Sequence, residues 1–387
     1  MLHRNLNSFL SRIGFRLLLV GAVLIVTHQA MNGVELLQHD QFDLGGEEQY
    51  AKWSDKKIVV EARSKGRVEL TDDDRDIKSI APGGYLNLKQ DQNGVVRSLE
   101  VTPEPNGTLQ KSYTVRGEKR AFDAEASAWL GTLLPDIIRH TVIGAEARVQ
   151  RILRQGGAGS VIDEISLIEP NSAKLIYLRF LFKGKLDSGD LQRTAQLVKR
   201  GISSDGDKAH FLIETRKSFL GTFATRSFFD VVNSIEAGGD RGRVLAAVVQ
   251  TNNLDRESLL LAMESAKGFS SDGDKAGFLR EAAPHYLANN ELAGAFFDVV
   301  DSVRAGGDHW SVLSSVLRRQ PLRRENVLRA IKSASRMDSD GDKSGFLMEV
   351  AQLNLNDQAV TAAVREAASR ISSEGDRMRV LAALSRE

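Results

Sequence analysis

Apolar and polar residues alternate through residues 56 to 122. Val68 and Leu70, Leu86 and Leu88, Val95, Leu99 and Val101, and Leu109, Tyr113 and Val115 stand two or four apart within each set. That spacing turns each set toward one side of a strand. Asn93-Gly94 and Asn106-Gly107 offer paired positions able to take positive φ, as a type I′ hairpin needs, and Pro82-Gly83-Gly84 supplies another turn. An antiparallel meander of about five or six strands is predicted.

At Asp123 the spacing changes. Ala126, Trp129, Leu130, Leu133, Leu134, Ile137 and Ile138 recur at three and four, predicting a helix capped by Asp123 with a stripe wide enough to cover the sheet. Pro135 predicts a kink or restart near Leu134. A second helix is predicted from about Glu146 to Arg154, ended by Gly156-Gly157.

Beyond this point a long-range period takes over. Ser204-Asp205-Gly206-Asp207-Lys208 returns almost unchanged at Ser271 to Lys275 and Ser339 to Lys343, with plainer Gly-Asp pairs between and after. The second Asp falls at Asp207, Asp240, Asp274, Asp308, Asp342 and Asp376, a step of 33 residues once and 34 thereafter. Phe211-Leu212, Val244-Leu245, Phe278-Leu279, Val312-Leu313, Phe346-Leu347 and Val380-Leu381 follow at one fixed offset, and Tyr177-Leu178 marks a worn earlier copy around Ala173. Phe228 to Val232 and Phe296 to Val300 match 68 residues apart, so alternate units are most alike. The unit predicted is a helical hairpin, with the recurring Phe and Leu pairs as its core. Stacked hairpins make a right-handed or gently curved α-solenoid. The period equals that of tetratricopeptide repeats, but their signature positions are not filled, and a HEAT-like array describes the pattern better.

The predicted fold class is therefore α+β. Residues 56–140 form an antiparallel sheet domain with a covering helix, and residues 141–387 form the helical repeats. Gly206, Gly239, Gly273, Gly307, Gly341 and Gly375 are expected to end helices in the left-handed conformation. Asp207, Asp240, Asp274, Asp308, Asp342 and Asp376 are expected to cap the helices that follow, and the Lys one place later to be solvated.

The first 34 residues carry no acid; Arg4, Arg12 and Arg16 precede an unbroken apolar run from Leu17 to Val26. This predicts an export signal or membrane anchor at 1–34, followed by a spacer at 35–55 around Gly45-Gly46, and a periplasmic or otherwise extracytoplasmic location for the rest. Composition adds exclusions. Lys plus Arg total 52 against 51 acids, so no global basic field draws nucleic acid, and no nucleic-acid partner is expected. With no cysteine, thiolate catalysis and Cys-ligated metal drop out.

Candidate chemistry is sparse. Asp338, Asp340 and Asp342 with Glu349 echo a calcium loop, as do the copies ending at Glu214 and Glu281, but Lys343, Lys208 and Lys275 stand where that loop requires Gly. Asp72-Asp73-Asp74-Arg75-Asp76 reads as a hydrated turn. Gly156 to Gly159 lacks the Gly-Lys-Ser/Thr ending of a phosphate loop. The seven His residues form no metal pair, and no nucleophile motif is present. The expectation is a protein without enzymatic activity, cofactor or metal.

Several stretches together carry a likeness: Ile80-Ala81-Pro82-Gly83-Gly84-Tyr85, Ala128-Trp129-Leu130, Ile143 to Val149, and the Ser-Asp-Gly-Asp-Lys repeats. They resemble an uncharacterised family of bacterial envelope proteins, and are similar to segments behind membrane metallopeptidase domains of beta-lactam-sensor type. The chain has neither H-E-x-x-H nor a multi-span membrane domain, so peptidase activity does not carry over. The resemblance implies an extracytoplasmic sensing or interaction module. The expected function is an envelope scaffold that binds a protein or peptide along its repeats and reaches the membrane through its N-terminal segment. The alternative is a sensor that recognises a cell-wall ligand in a pocket near residues 123 to 170 and signals through a membrane partner.

Overall fold

A computed structural model describes residues 35–36, 48–55, 57–319, 321–353 and 356–385. The predicted signal or anchor lies outside them, and among the described residues no helix is long and apolar enough to cross a membrane. The architecture is α+β: a small antiparallel sheet domain followed by packed helices. By compactness the described residues divide into two units, those up to 67 with 80–126, and 68–79 with those from 127 on.

In the first unit, β1 (Glu35–Leu36), β2 (Glu48–Asp55), β3 (Ile58–Lys65), β6 (Tyr85–Gln92), β7 (Val95–Pro103), β8 (Leu109–Val115) and β9 (Glu118–Arg120) pair in that order, all antiparallel. Register places Ala51, Ala62, Leu88, Leu99 and Tyr113 in one row across five strands, and all five are buried. A one-residue slip would turn that whole row to the opposite face, so the apolar alternation sets the register.

Strand pairing starts earlier than predicted. Residues 48–55, read as spacer, form β2, because Ala51 and Trp53 reach the buried face while Lys52 between them stays exposed. Asn93 and Gly94 both take positive φ, as a type I′ turn requires, whereas at the next turn only Gly107 does. There the connection is longer, closed by Gly107 N–H on the Glu104 carbonyl and Glu104 N–H on Thr108. The second turn with paired positive φ is Arg116-Gly117, between β8 and β9.

In the second unit, β4 (Val68–Leu70) and β5 (Ile77–Ile80) form a separate hairpin, of which residues 68–79 group with the helices. Helix α1 (Ala124–His140) begins at Asp123, whose carboxylate accepts from the N–H groups of Glu125 and Ala126. It continues past Pro135 without the restart that was one of the two expected outcomes there, the other being a kink, and groups with the helices from Ser127 on. Helix α2 (Ala145–Leu167) is two segments meeting at Gly157, whose φ of 74° breaks the helical path at the predicted place.

The helices that follow are α3 (Asn171–Leu181), α4 (Ser188–Gly201), α5 (Asp205–Phe219), α6 (Thr225–Val232), α7 (Gly238–Val249) and α8 (Arg256–Lys267). They continue as α9 (Asp272–Tyr286), α10 (Asn290–Val300), α11 (Gly306–Leu317), α12 (Arg324–Ala334), α13 (Asp340–Gln352), α14 (Gln358–Ser369) and α15 (Glu374–Ala383). From α5, each odd-numbered helix packs on the next odd one; from α4 to α14, each even-numbered helix packs on the next even one. The result is two layers of helices built from hairpins that repeat every 34 residues or so. Phe211, Leu212, Val244, Leu245, Phe278, Leu279, Val312, Leu313, Phe346 and Leu347 are buried between the layers, with Phe228, Phe229, Phe296 and Phe297 from the even helices. Leu381, in the last copy, is only half-buried.

Candidate functional site

The recurring motif is a staple between hairpins, with roles that differ from those its residue types suggest. Ser204, Ser271, Ser339 and Ser373 are the N-caps; each hydroxyl accepts the N–H of the Asp three places on. Asp207, Asp274, Asp342 and Asp376 therefore lie inside the first turn, as do Asp240 and Asp308 in the copies that start from Ala237 and Ala305. The motif glycines Gly206, Gly239, Gly273, Gly307, Gly341 and Gly375 share that turn, and none has positive φ. A glycine serves the contact instead: a side chain on Gly238 or Gly306 would collide with the carboxylate of Asp274 or Asp342 from the next hairpin.

The first Asp of the full motif reaches forward. Asp205 Oδ2 accepts the N–H groups of Glu236 and Ala237, at 2.9 Å each, in the turn that opens the next hairpin. Asp272 does the same for Arg304 and Ala305, and Asp340 for Ser372 and Ser373. The Lys residues expected in solvent are buried, Lys208, Lys275 and Lys343 retaining only 7%, 6% and 6% exposure. Each ammonium pairs with the first Asp of its own motif and donates to a carbonyl at the C-terminal end of its partner helix, namely Ser234, Ser302 or Arg370.

Other residues fill the same place in the remaining copies. Lys174 donates to Gly201, Arg241 to Gly268 and Ile235, and Arg377 to Ile371. A cation there satisfies carbonyls left open at a helix end and opposes the negative end of the helix dipole.

His309 is the titratable member of that series. Its ring is buried, bonds the Val303 carbonyl, and places Nε2 2.8 Å from Ser333 Oγ, which stands 2.5 Å from Asp301 Oδ1. Burial outweighs the Val303 bond and the Asp272 charge and holds its pKa below the ordinary value. His140 lies between Asp136 and Glu169, its Nε2 3.1 Å from Glu169 Oε2. Burial opposes its charge, but the two carboxylates win and raise its pKa.

The two histidines thus act in opposite directions on stability. The unfolded His309 takes a proton near pH ~6.5 that the folded state refuses, so stability falls as pH drops through that value. The His140 contribution is fully present below ~6.5 and is lost as pH rises through its higher folded pKa. NMR titration of the ring carbons is expected to place the His140 midpoint above that of His309; the reverse order would refute the assignment.

The acidic turn predicted to be hydrated is also engaged. Asp74, with φ of 57°, binds Arg148 Nε at 2.8 Å and Arg151 Nη2 at 2.5 Å, while Arg151 Nη1 donates to the Thr71 carbonyl. Glu164 takes Arg148 Nη2 at 3.0 Å. Tyr177 lies against this cluster, and burial pushes its hydroxyl up to about 12. The cluster fastens the turn from Thr71 to Asp74 onto α2, with Arg148 Nη1 and the Tyr177 hydroxyl left without a hydrogen-bond partner among the described residues. Among the described residues no group of three or more His, Asp or Glu could hold a metal. The calcium-like acids point elsewhere: Glu214 to Arg179 and His210, Glu281 to Gln250, Glu349 to α11.

The helical repeats also carry an open, concave surface. A groove of about 780 Å³ crosses α9, α11 and α13. Its floor is low because Gly307, Ser311 and Ser315 are small and lie on one face of α11. One wall is Trp310, lodged against Gly345, where an added Cβ would stand 2.7 Å from the indole. Glu349 fixes that wall by accepting from Trp310 Nε1 at 3.2 Å and Ser314 Oγ at 2.5 Å. Arg280 and Arg319 line it beside Ser311, and Arg318 lines it beside Glu349. The groove went unpredicted from sequence. Its trace is a break in the 68-residue likeness, with Trp310 where the earlier copy has Gly242.

In comparisons with known proteins, no family model, no curated protein and no solved structure matched this chain.

Proposed function

We propose that the protein is a non-catalytic interaction scaffold whose helical hairpins stack as a HEAT-like α-solenoid and hold a segment of a partner protein in the groove across α9, α11 and α13. The groove carries this reading. It is open, and its indole wall is held by a hydrogen bond and by a glycine that makes room for it. A fixed aromatic beside small residues is a low-entropy anchor for a bound side chain. The repeats supply the rigid frame that the site needs. The N-terminal pattern of arginines and apolar residues points to the cell envelope as the compartment.

Affinity capture from solubilised envelope fractions tests the proposal, comparing the wild-type protein with Ser315→Trp, which fills the groove. Proteins retained by the first and released by the second are expected. Identical captured sets, with both proteins equally folded by circular dichroism, would overturn it.

A further inference from the structure

We propose that the segment held in the groove is acidic and extended, its carboxylates pairing with Arg280, Arg318 and Arg319. The inference rests on the groove being the docking surface, and adds the chemistry of the occupant.

The charge is local. Over the whole chain, cations exceed acids by one (52 against 51), yet the groove lining holds three arginines and a single carboxylate. That carboxylate, Glu349, is already engaged by Trp310 Nε1 and Ser314 Oγ, and lies 3.8 Å from Arg318. The arginines keep most of their capacity. Among the described residues, Arg280 uses Nη1 on Ser311 Oγ at 2.9 Å, Arg319 uses Nη2 on the Arg280 carbonyl at 3.1 Å, and Arg318 makes only the long pair with Glu349. Each guanidinium carries five N–H donors in a planar fork matched to a carboxylate, so several remain for a ligand.

Dimensions favour an extended peptide over a folded domain edge. From Gly307 to Leu317 the helix rises about 15 Å at ~1.5 Å per residue, room for roughly four or five residues of extended chain. The cations gather toward the C-terminal end of α11 rather than in a long stripe, which suits a short acidic run better than a nucleic-acid backbone.

A phage-displayed library of random dodecapeptides, selected on the full chain, provides the test. Selected peptides are expected to be enriched in Asp and Glu. Their binding should weaken about tenfold or more in Arg319→Glu, and should also weaken as salt rises. Arg318→Glu serves as the second variant, since among the described residues that side chain pairs only with Glu349, at 3.8 Å. Neutral or basic peptides that are lost on Ser315→Trp would sink the acidic inference and leave the groove reading intact. Peptides indifferent to Ser315→Trp, or no selected peptides at all, would sink both. Displacement of the peptides by an eight-nucleotide single strand at equal concentration would replace the peptide with a nucleic acid.

Discussion

Asp74→Ala is expected to destabilise the helical unit by about 3–5 kcal/mol, the usual cost of removing one partner from a buried ion pair. The side chains of Arg148, Arg151 and Asp74 retain only 8%, 10% and 16% exposure, so water cannot replace the lost carboxylate. Glu164 would then face two buried guanidinium groups alone. The backbone adds a second penalty, since Asp is among the few residues that tolerate φ near 57° and Ala is not. A lower urea midpoint by circular dichroism, with an unchanged slope, is the expected record. Asp74→Ala combined with Arg148→Met should recover part of the loss by removing the stranded charge. An unchanged midpoint in the single variant would refute the cluster's structural role.

Arg148 and Arg151 show where local pattern stops informing. They lie in a helix whose neighbours Ala145 and Val149 are buried, and nothing nearby in sequence announces a carboxylate 74 residues upstream. The period of the repeats was legible because each hairpin must present the same apolar residues to the next, and packing enforces that spacing. Within the motif the assignment slipped by one turn. Ser204 and Asp207 are both strong N-cap formers three places apart, and Ser204 takes the cap while Asp207 sits inside the first turn.

The buried lysines were misread for a different reason. A charged side chain is presumed solvated, and here it finds open carbonyls at a neighbouring helix end. The recurrence of Lys174, Lys208, Arg241, Lys275, His309, Lys343 and Arg377 at one offset was the available signal. The groove was harder to see, because small residues on α11 create it and Gly345, from another helix, makes room for its wall.

The two aspartates of one motif should respond differently to substitution. Asp205→Ala is expected to cost about 2–3 kcal/mol, because two backbone N–H groups lose a charged acceptor and Lys208 loses its partner in a buried position. Asp207→Asn, two residues on, is expected to be neutral within about 0.5 kcal/mol or mildly stabilising. Burial works against both charges. In Asp205 it is outweighed by the N–H groups of Ala237 and Glu236 and by Lys208, which lower the pKa. In Asp207 burial wins over the Ser204 hydroxyl and the His210 charge, and the pKa rises.

The pH dependence separates the two further. The contribution of Asp205 is present above the unfolded carboxylate value of ~3.9 and is lost as pH falls through its lower folded value. The deficit of Asp205→Ala should therefore shrink steadily below pH ~4, while ionised Asp207 burdens the fold above its own raised pKa. Urea midpoints of the two variants and the wild type, taken between pH 7 and pH 3, would show curves that converge at the acid end. Equal deficits for both variants at neutral pH would mean that the motif caps each helix separately. Only a forward staple gives the two carboxylates, set two residues apart, different effects.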